Sequence, residues 1–156
     1  MPNSTDITMP RPDARSLLRD AKVVVAPETF ALVSIDRAAF AKLLGDPSVS
    51  PGGGEAPFMI LVDRYEVTLL LSDGDLSKMR SAIGGARVES GFRMLTFDIE
   101  LGFDVVGFMA AVSATLADAG IPIVPVSAFS RDHLLIKQDA LAAALKVLGE
   151  HVSDLC

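Results

Sequence analysis

Residues 93–123 read RMLTFDIELGFDVVGFMAAVSATLADAGIPI and contain a strand, a helix and the start of a second strand. Over residues 93–101 apolar and polar side chains alternate, which predicts a strand with one buried face. The apolar residues that follow recur at helical spacing until Gly120, a common helix stop. Asp104 is well placed to cap the N-terminus of this helix. The segment therefore predicts a strand followed directly by a helix between Asp104 and Gly120.

The sequence after this helix predicts two more strands and a last helix. The first strand covers residues 121–127 and contains two prolines, which favours an edge position or a bulge because proline cannot donate a ladder hydrogen bond. The second strand covers residues 133–137. Asp139 is the expected cap of the last helix, and Gly149 is its expected end.

The first half of the chain repeats this order of elements. Phe30 and Leu95 begin equivalent stretches 65 positions apart, and Ser16 and Ser81 have the same spacing. A constant offset between similar elements indicates an internal duplication. The predicted elements are strands at 30–35, 58–63 and 66–72, and helices that begin at Asp36 and Asp75 and end at Gly45 and Gly84.

The repeat predicts an α+β fold of two tandem ferredoxin-like βαββαβ units, each an antiparallel sheet with its helices on one face. The expected division is a leader at 1–20, a first domain at 21–84 and a second domain at 85–156. A Pro/Gly/Ser-rich segment at 46–57 predicts a loop in the first domain. Each unit needs a fourth strand, for which 22–26 and 87–90 are candidates. We expect 22–26 to complete the second unit.

Composition argues against several classes of partner. The net charge is −6, the pI is about 4.8, and the basic residues are scattered, so no nucleic-acid surface is expected. No long uncharged apolar run suits a membrane, and residues 1–15 lack the apolar core of a signal peptide. Cys156 is the one cysteine, which is typical of the cytoplasm. Half of the residues are hydrophobic, and we expect part of this surface to be buried in a homodimer.

No arrangement of residues indicates catalysis, a metal or a cofactor. His133 and His151 are the only histidines and lie in different predicted elements, without metal-ligand spacing. No serine stands in a nucleophile-elbow motif, and the glycines at 52–54 lack the lysine of a phosphate-binding loop. We therefore expect a protein that is not an enzyme and needs no cofactor.

Residues 102–108, GFDVVGF, are the segment with the chemistry for ligand binding. They lead into a helix N-terminus, where free amides favour a carboxylate or another anion. Gly107 in the first helical turn weakens the helix by about 1 kcal/mol relative to alanine. Two reasons would each explain a glycine at this position: close approach of a ligand to the backbone, or tight packing of the helix against the sheet. An amino acid fits this setting if Asp104, Asp132 or Glu66 binds its ammonium group, although Asp104 also suits a cap and Asp132 a turn.

Residues 104–123 resemble the ACT domain signature, in which a turn and a glycine lead a helix that ends Leu-Ala-x-x-Gly-Ile-x-Ile. Residues 126–136, VSAFSRDHLLI, are similar to the Ile-Ser-Thr-Tyr-x-Thr-Asp-Tyr-x-Leu-Val pattern of paired ACT proteins, namely small bacterial two-ACT proteins and Castor-type arginine sensors. Residues 65–71 look like their Asp-Glu-x-Ser-x-Val strand. The resemblance covers about residues 22–149. It implies a tandem βαββαβ fold, regulatory binding of a small molecule that is usually an amino acid, and frequent dimerisation without catalysis.

The same resemblance implies a ligand site formed by a loop at 103–109 and a facing strand at 127–129. Three features depart from the family pattern: Val106 replaces a threonine, Ala128 and Phe129 replace Thr-Tyr, and His133 replaces an aromatic residue. The matching turn in the first copy, 36–38, has no glycine, so we expect at most one intact loop per chain. The residues expected to bind the ligand are Phe103, Asp104, Val105, Val106, Gly107, Phe108, Met109, Ser127, Ala128, Phe129, Asp132 and Glu66.

The expected function is therefore an amino-acid-sensing regulatory module that acts through a partner protein, since the sequence contains no catalytic or DNA-binding domain. The alternative is a structural or protein-interaction module of the same fold that has lost its ligand. The absence of hydroxyl groups at Val106 and Ala128 favours this alternative.

Overall fold

A computed structural model describes residues 13–46 and 56–156 of the chain. These residues form eight strands: β1 (Lys22–Val25), β2 (Phe30–Ile35), β3 (Met59–Val62), β4 (Val67–Ser72), β5 (Arg87–Asp98), β6 (Val124–Ser127), β7 (Asp132–Lys137) and β8 (Asp154–Leu155). They also form five α-helices: α1 (Ala14–Asp20), α2 (Arg37–Leu44), α3 (Asp73–Met79), α4 (Phe108–Asp118) and α5 (Leu141–Gly149). A short 3-10 helix, Gln138–Ala140, precedes α5.

The first unit is an antiparallel sheet with the strand order β3-β4-β2-β5. Side chains on a strand alternate between its two faces. Ala31, Val33 and Ile35 therefore point to one side, where they pack with Leu76 and Met79 of α3 in a buried cluster. The chain order β2-α2-β3-β4-α3-β5 gives this unit the predicted ferredoxin-like fold.

The second unit has the strand order β6-β7-β5-β1-β8. β1 pairs antiparallel with the second half of β5, from Lys22 opposite Asp98 to Val25 opposite Leu95. The prediction that 22–26 completes this sheet is confirmed. β6 pairs only with β7 among the described strands, so its one proline, Pro125, lies in an edge strand as predicted, whereas Pro122 lies before the strand.

β8 follows the last helix and is a strand that the sequence pattern did not predict. It runs parallel to β1, with Lys22 opposite Asp154. β1 already occupies the position beside β5, so the strand that follows α5 lies one place further out. Two residues are too few to carry a readable alternation.

β5 belongs to both sheets. Its first half pairs with β2, and its second half lies between β1 and β7. Gly91, near the middle, has a φ of 82°, and the pairing with β2 shifts register between Phe30 and Leu32. The predicted strand at 93–101 and the candidate at 87–90 are thus one strand, which the sequence pattern divided because Gly91 interrupts its alternation.

Strand pairing crosses the expected domain boundaries in both directions. β1 comes from the region expected to form the first domain but completes the second sheet, and the first half of β5 completes the first sheet. The boundaries at 20 and 84 stay a prediction. Much of the predicted loop at 46–57 and the first 12 residues of the leader lie outside the described residues.

The end of the predicted leader forms the helix α1. α1 packs against α4, and its Leu17 and Leu18 join the apolar cluster of the second unit. The Asp13 carboxylate accepts a hydrogen bond from the Ser16 amide at 3.2 Å and caps this helix. A helix of seven residues depends on such packing, because short helices are marginal alone.

The two units are joined by a third buried cluster on the sheet faces that point away from the helices. Phe30 and Leu70 of the first unit pack with Phe92, Met94 and Leu135. Burying a large apolar side chain stabilises a protein by about 1.5–3 kcal/mol. These contacts therefore fix the two units against each other.

Of the four aspartates predicted to cap helices, only Asp36 does so. Asp36 caps α2, where its carboxylate accepts a hydrogen bond from the Ala39 amide at 2.7 Å. Asp75 does not cap α3, because Ser72 does so by accepting from the Asp75 amide at 3.1 Å. Asp75 instead accepts a hydrogen bond from the Ser72 hydroxyl at 3.0 Å. The pair forms a reciprocal capping arrangement.

Three other predicted bounds were wrong. α3 ends at Met79, and Gly84 lies in the following turn. Asp139 lies inside the 3-10 helix, and α5 begins without a side-chain cap. The strand predicted from residue 121 begins at Val124. No helix among the described residues has the length and apolar character to cross a membrane.

Candidate ligand-binding site

One cavity of about 380 Å³ lies between the loop before α4 and the turn between β6 and β7. Two backbone hydrogen bonds shape its walls: the Leu101 amide donates to the Ser130 carbonyl at 2.9 Å, and the Ala128 amide donates to the Arg131 carbonyl at 2.9 Å. The lining residues are Leu101, Gly102, Phe103, Val105, Gly107, Phe108, Met109, Ala110, Ser127, Ala128, Phe129, Ser130, Arg131 and Asp132.

The N-terminus of α4 opens into this cavity without a side-chain cap. The helix begins at Phe108, and the residue before it, Gly107, has a φ of 88°. This left-handed conformation is one that L-residues with a Cβ adopt at a cost of roughly 1–2 kcal/mol. The first intrahelical bond runs from the Ala111 amide to the Gly107 carbonyl. The three preceding amides therefore have no partner within the helix.

This geometry corrects two expectations from the sequence. Asp104 is not the cap of α4, because residues 102–105 form a turn in which the Val105 amide donates to the Gly102 carbonyl at 3.1 Å. Gly107 is not in the first turn of the helix but immediately before it. Its role is to supply a positive φ, and the helical cost expected from an internal glycine does not apply.

The polar groups of the cavity lie on the β6–β7 side. The Ser127 hydroxyl donates to the Asp132 carboxylate at 2.5 Å, and one oxygen of that carboxylate is left for another donor. The Arg131 guanidinium pairs with Asp98 outside the cavity lining, with 3.0 Å between Nε and Oδ1. The cavity lining therefore includes both free backbone amides and a carboxylate.

The outer wall of the cavity is aromatic. Phe103 and Phe129 meet edge to face, with 5.1 Å between ring centroids. Each side chain is 83% exposed, although both belong to a residue type that is usually buried. Val106, three residues after Phe103, is 67% exposed.

Most of the predicted ligand-binding residues come together here. Asp104 and Val106 are exposed and do not line the cavity, and Glu66 lies in the first unit. The sequence prediction missed Leu101, Gly102, Ala110, Ser130 and Arg131. Ala110 could have been found as the third residue of the uncapped helix, but Ser130 and Arg131 reach the site through a turn whose shape the sequence does not specify.

Glu66 takes part in a separate cluster at the equivalent end of the first unit. Arg87 pairs with its carboxylate at 2.6 Å and also donates to the Ser34 hydroxyl at 3.0 Å. Ser34 itself donates to Glu66. These groups line a cavity of about 570 Å³ that also includes Asp36, the cap of α2. Nearby, hydrogen bonds from the Glu66 and Tyr65 amides lower the pKa of Asp63 below its ordinary value.

His133 follows Asp132 and lies half-buried. Its Nδ1 is 2.9 Å from the Thr96 hydroxyl oxygen. Burial lowers the pKa of His133 below its ordinary 6.5, the neighbouring Asp132 carboxylate acts in the opposite direction, and Arg131 adds to the lowering. Across residues 13–46 and 56–156, no group of three or more His, Cys, Asp or Glu side chains is arranged to bind a metal ion.

Comparisons with known proteins agree with this fold. Residues 87–150, which contain the whole lining of the candidate site, match the ACT domain family model. No curated protein matches the chain. The resemblance to ACT domains is confirmed for this segment, whereas the likeness to two-ACT proteins and Castor-type sensors stays a prediction.

Solved structures are similar over most of the chain. A protein from Agobacterium tumefaciens is 20% identical with a TM-score of 0.67, and covers 88% of this chain and 92% of its own. A Vibrio cholerae protein of unknown function is 19% identical with a TM-score of 0.63, over 88% and 94% of the two chains. The regulatory subunit of aspartate kinase from Thermus thermophilus, in a ligand-free form, is 12% identical with a TM-score of 0.60, over 86% and 98%. At these identities the likeness shows the fold alone.

Proposed function

We propose that this protein is a regulatory module that senses an amino acid and acts through a partner protein. The observation that supports it best is a single cavity whose lining includes both the uncapped N-terminus of α4 and Asp132. An α-amino acid carries a carboxylate and an ammonium group, which need amide donors and a carboxylate respectively. Both kinds of group line this cavity.

In the proposed binding mode the carboxylate of the ligand accepts hydrogen bonds from the amides of residues 108–110. The helix dipole favours a negative charge at this position. The ammonium group donates to Asp132, whose other partner is Ser127. Gly107 lines the cavity beside these amides. Phe103, Val105, Met109, Ala128 and Phe129 form the remaining contacts.

The comparisons support a regulatory rather than a catalytic role. The family model that matches residues 87–150 is the ACT domain, and one similar solved structure is named as a regulatory subunit of aspartate kinase. A second, aspartokinase III from E. coli, is described in complex with aspartate and ADP. A module without catalytic residues would influence an activity only by binding its ligand and a partner in a coupled way.

A thermal-shift scan of the purified protein against the twenty amino acids tests the ligand. A ligand present at 100 times its dissociation constant stabilises the folded state by about 2.7 kcal/mol. For a chain of this size we expect Tm to rise by roughly 5–10 °C. The scan should select one amino acid or a related group, and a flat panel would reject amino-acid sensing.

Gly107→Val tests the site, and Gly120→Val is its matched control. Gly120 has a φ of 69°, so both variants place a branched residue in the left-handed region and lose similar stability. Only the first adds a side chain at a residue that lines the cavity, next to the α4 amides. We expect the ligand-induced rise in Tm to disappear in Gly107→Val and to persist in Gly120→Val. An undiminished rise in Gly107→Val would rule out this site.

We also propose that the protein is a cytoplasmic homodimer. Cys156 is a free thiol, as expected in a reducing compartment. β3 pairs only with β4 among the described strands and exposes Ile60, Leu61 and Val62, and such an apolar edge favours pairing with a second chain. The mass in solution, by light scattering or sedimentation, tests the dimer.

A ligand-free interaction module of the same fold is the second candidate. The exposed Phe103, Val106 and Phe129 favour it, because contiguous exposed apolar residues mark interaction surfaces. The two candidates differ in the role of the ligand. Capture of a partner from a lysate of the source organism, with and without the selected amino acid, should change with the ligand for the sensor and stay constant for the interaction module.

A further inference from the structure

Phe103 and Phe129 present an apolar wall that no other part of the described chain covers. They come from opposite sides of the cavity, one before α4 and one after β6, and contact each other edge to face. Each exposes 83% of its side chain, and a phenylalanine side chain can bury about 150–250 Å². A ligand group that packs against the pair would remove much of this area from water.

Apart from Arg131, Asp132 and two serines, the side chains of the lining are apolar or absent. The two serines are already hydrogen-bonded, Ser127 to Asp132 and Ser130 to Arg131. Leu101, Val105, Met109 and Ala128 are apolar. Neither aromatic residue carries a hydroxyl group. A polar or charged group placed against such a wall loses its hydrogen bonds to water without replacement, which costs binding free energy.

The two charged residues in the lining already have partners. Arg131 pairs with Asp98, so its guanidinium is directed to an ion pair outside the cavity lining. Asp132 accepts from Ser127 and, in the proposed binding mode, holds the ammonium group of the ligand. No unpaired charge in the lining is therefore left to bind a charged ligand side chain.

We infer that the ligand is an amino acid with an uncharged, apolar side chain, and that Phe103 and Phe129 select it. This inference rests on the proposed function, which supplies the binding of the ammonium and carboxylate groups. Those groups are common to all amino acids, so the discrimination comes from the aromatic pair. The cavity of about 380 Å³ leaves room for a side chain beyond the shared groups.

Matched ligands test the inference by titration calorimetry. Leucine and asparagine have nearly the same shape, as do norleucine and the stem of lysine, and only polarity or charge differs within each pair. A polar group left without hydrogen bonds in an apolar pocket lowers affinity by about 5–150-fold. We expect leucine to bind at least about tenfold more tightly than asparagine, and norleucine more tightly than lysine.

Variants of the aromatic pair test its role. In Phe103→Ala and Phe129→Ala we expect the ratio of leucine affinity to alanine affinity to fall about tenfold or more toward one, while the binding of alanine stays nearly constant because it uses the shared groups. Tyr65→Ala is the matched control, since Tyr65 is 91% exposed and lies outside this cavity. It should leave the ratio unchanged.

The outcomes separate this inference from the proposed function. Tighter binding of a charged or polar amino acid that is lost in Gly107→Val would overturn the apolar selection and leave the sensor intact. An unchanged leucine-to-alanine ratio in both phenylalanine variants would overturn the role of the pair. No binding of any amino acid would overturn the proposed function and this inference together.

Discussion

The N-termini of α2 and α4 occupy equivalent places in the two units, but only one is satisfied by the chain itself. α2 begins after Asp36, whose carboxylate accepts the Ala39 amide at 2.7 Å. α4 begins after Gly107, which has no side chain to offer. The same fold therefore has a capped helix N-terminus in one unit and an uncapped one in the other.

The acidic residues near these helices differ in the same way. Glu66 in the first unit is bound by Arg87 and Ser34, whereas within residues 13–46 and 56–156 only Ser127 donates a hydrogen bond to the Asp132 carboxylate. The first unit uses its polar groups for its own stability, and the second leaves them available. The fold alone would not distinguish the two, so a binding site must be argued from its residues.

The largest expected effect on stability comes from β1, because the second unit takes this strand from the start of the chain whereas the first unit is completed by β5. Val23 of β1 is fully buried in the second unit, and its neighbour Val24 is 37% exposed. We expect Val23→Asp to destabilise the protein by several kcal/mol, because an unpaired carboxylate would be buried. Val24→Asp should cost less than about 1 kcal/mol. Urea unfolding measures both, and equal losses would mean that β1 is not part of this core.

A smaller effect is expected at the helix N-termini themselves. Asp36→Ala removes the cap of α2 and should cost about 1 kcal/mol, which corresponds to a fall in Tm of roughly 2–4 °C. Asp104→Ala should change Tm by less than about 1 °C, because Asp104 caps no helix and lies exposed. If Asp104→Ala were the more damaging variant, the assigned start of α4 would be wrong.

The smallest effect is expected from His133, which lies next to the candidate site. Its folded-state pKa is lowered by burial, so the folded state binds a proton less readily than the unfolded state. Stability should therefore fall as the pH drops below about 6.5, and level off once the pH is below the folded pKa. His133→Gln should reduce this loss in urea midpoints measured at pH 7.5 and 5.5. Identical pH profiles for His133→Gln and the wild type would contradict a contribution of His133 to this loss of stability.

Much of the fold could be predicted because its core strands and helices carry regular patterns. The alternation in β5 and the helical stripe of α4 are long enough to read, and 22–26 was identified as the strand that the second unit lacked. The errors in strand prediction lie where the sequence pattern does not report the strand. Gly91 interrupts the alternation of β5 without ending the strand, and β8 is too short for any pattern.

The helix starts show why local residue preferences were insufficient. Asp75 and Asp104 are both residues that favour a cap, but a serine three positions before Asp75 and a left-handed glycine three positions after Asp104 define the actual starts. The candidate site was only partly predictable for a similar reason. The ACT resemblance indicated two segments, but the contact between Phe103 and Phe129 depends on a turn that is fixed only in the folded chain.

The sharing of β5 has a consequence for how the protein unfolds. Cutting the chain at a single peptide bond cannot separate the two units. The first unit needs the first half of β5, and the second unit needs the second half of β5 together with β1, which precedes the first unit in the chain. If one sheet unfolded, the half of β5 that pairs in it would lose its hydrogen-bond partners, while the other half would still be held in the folded sheet. The two units should therefore melt in one cooperative transition, as a single thermodynamic domain, rather than independently as two linked ones.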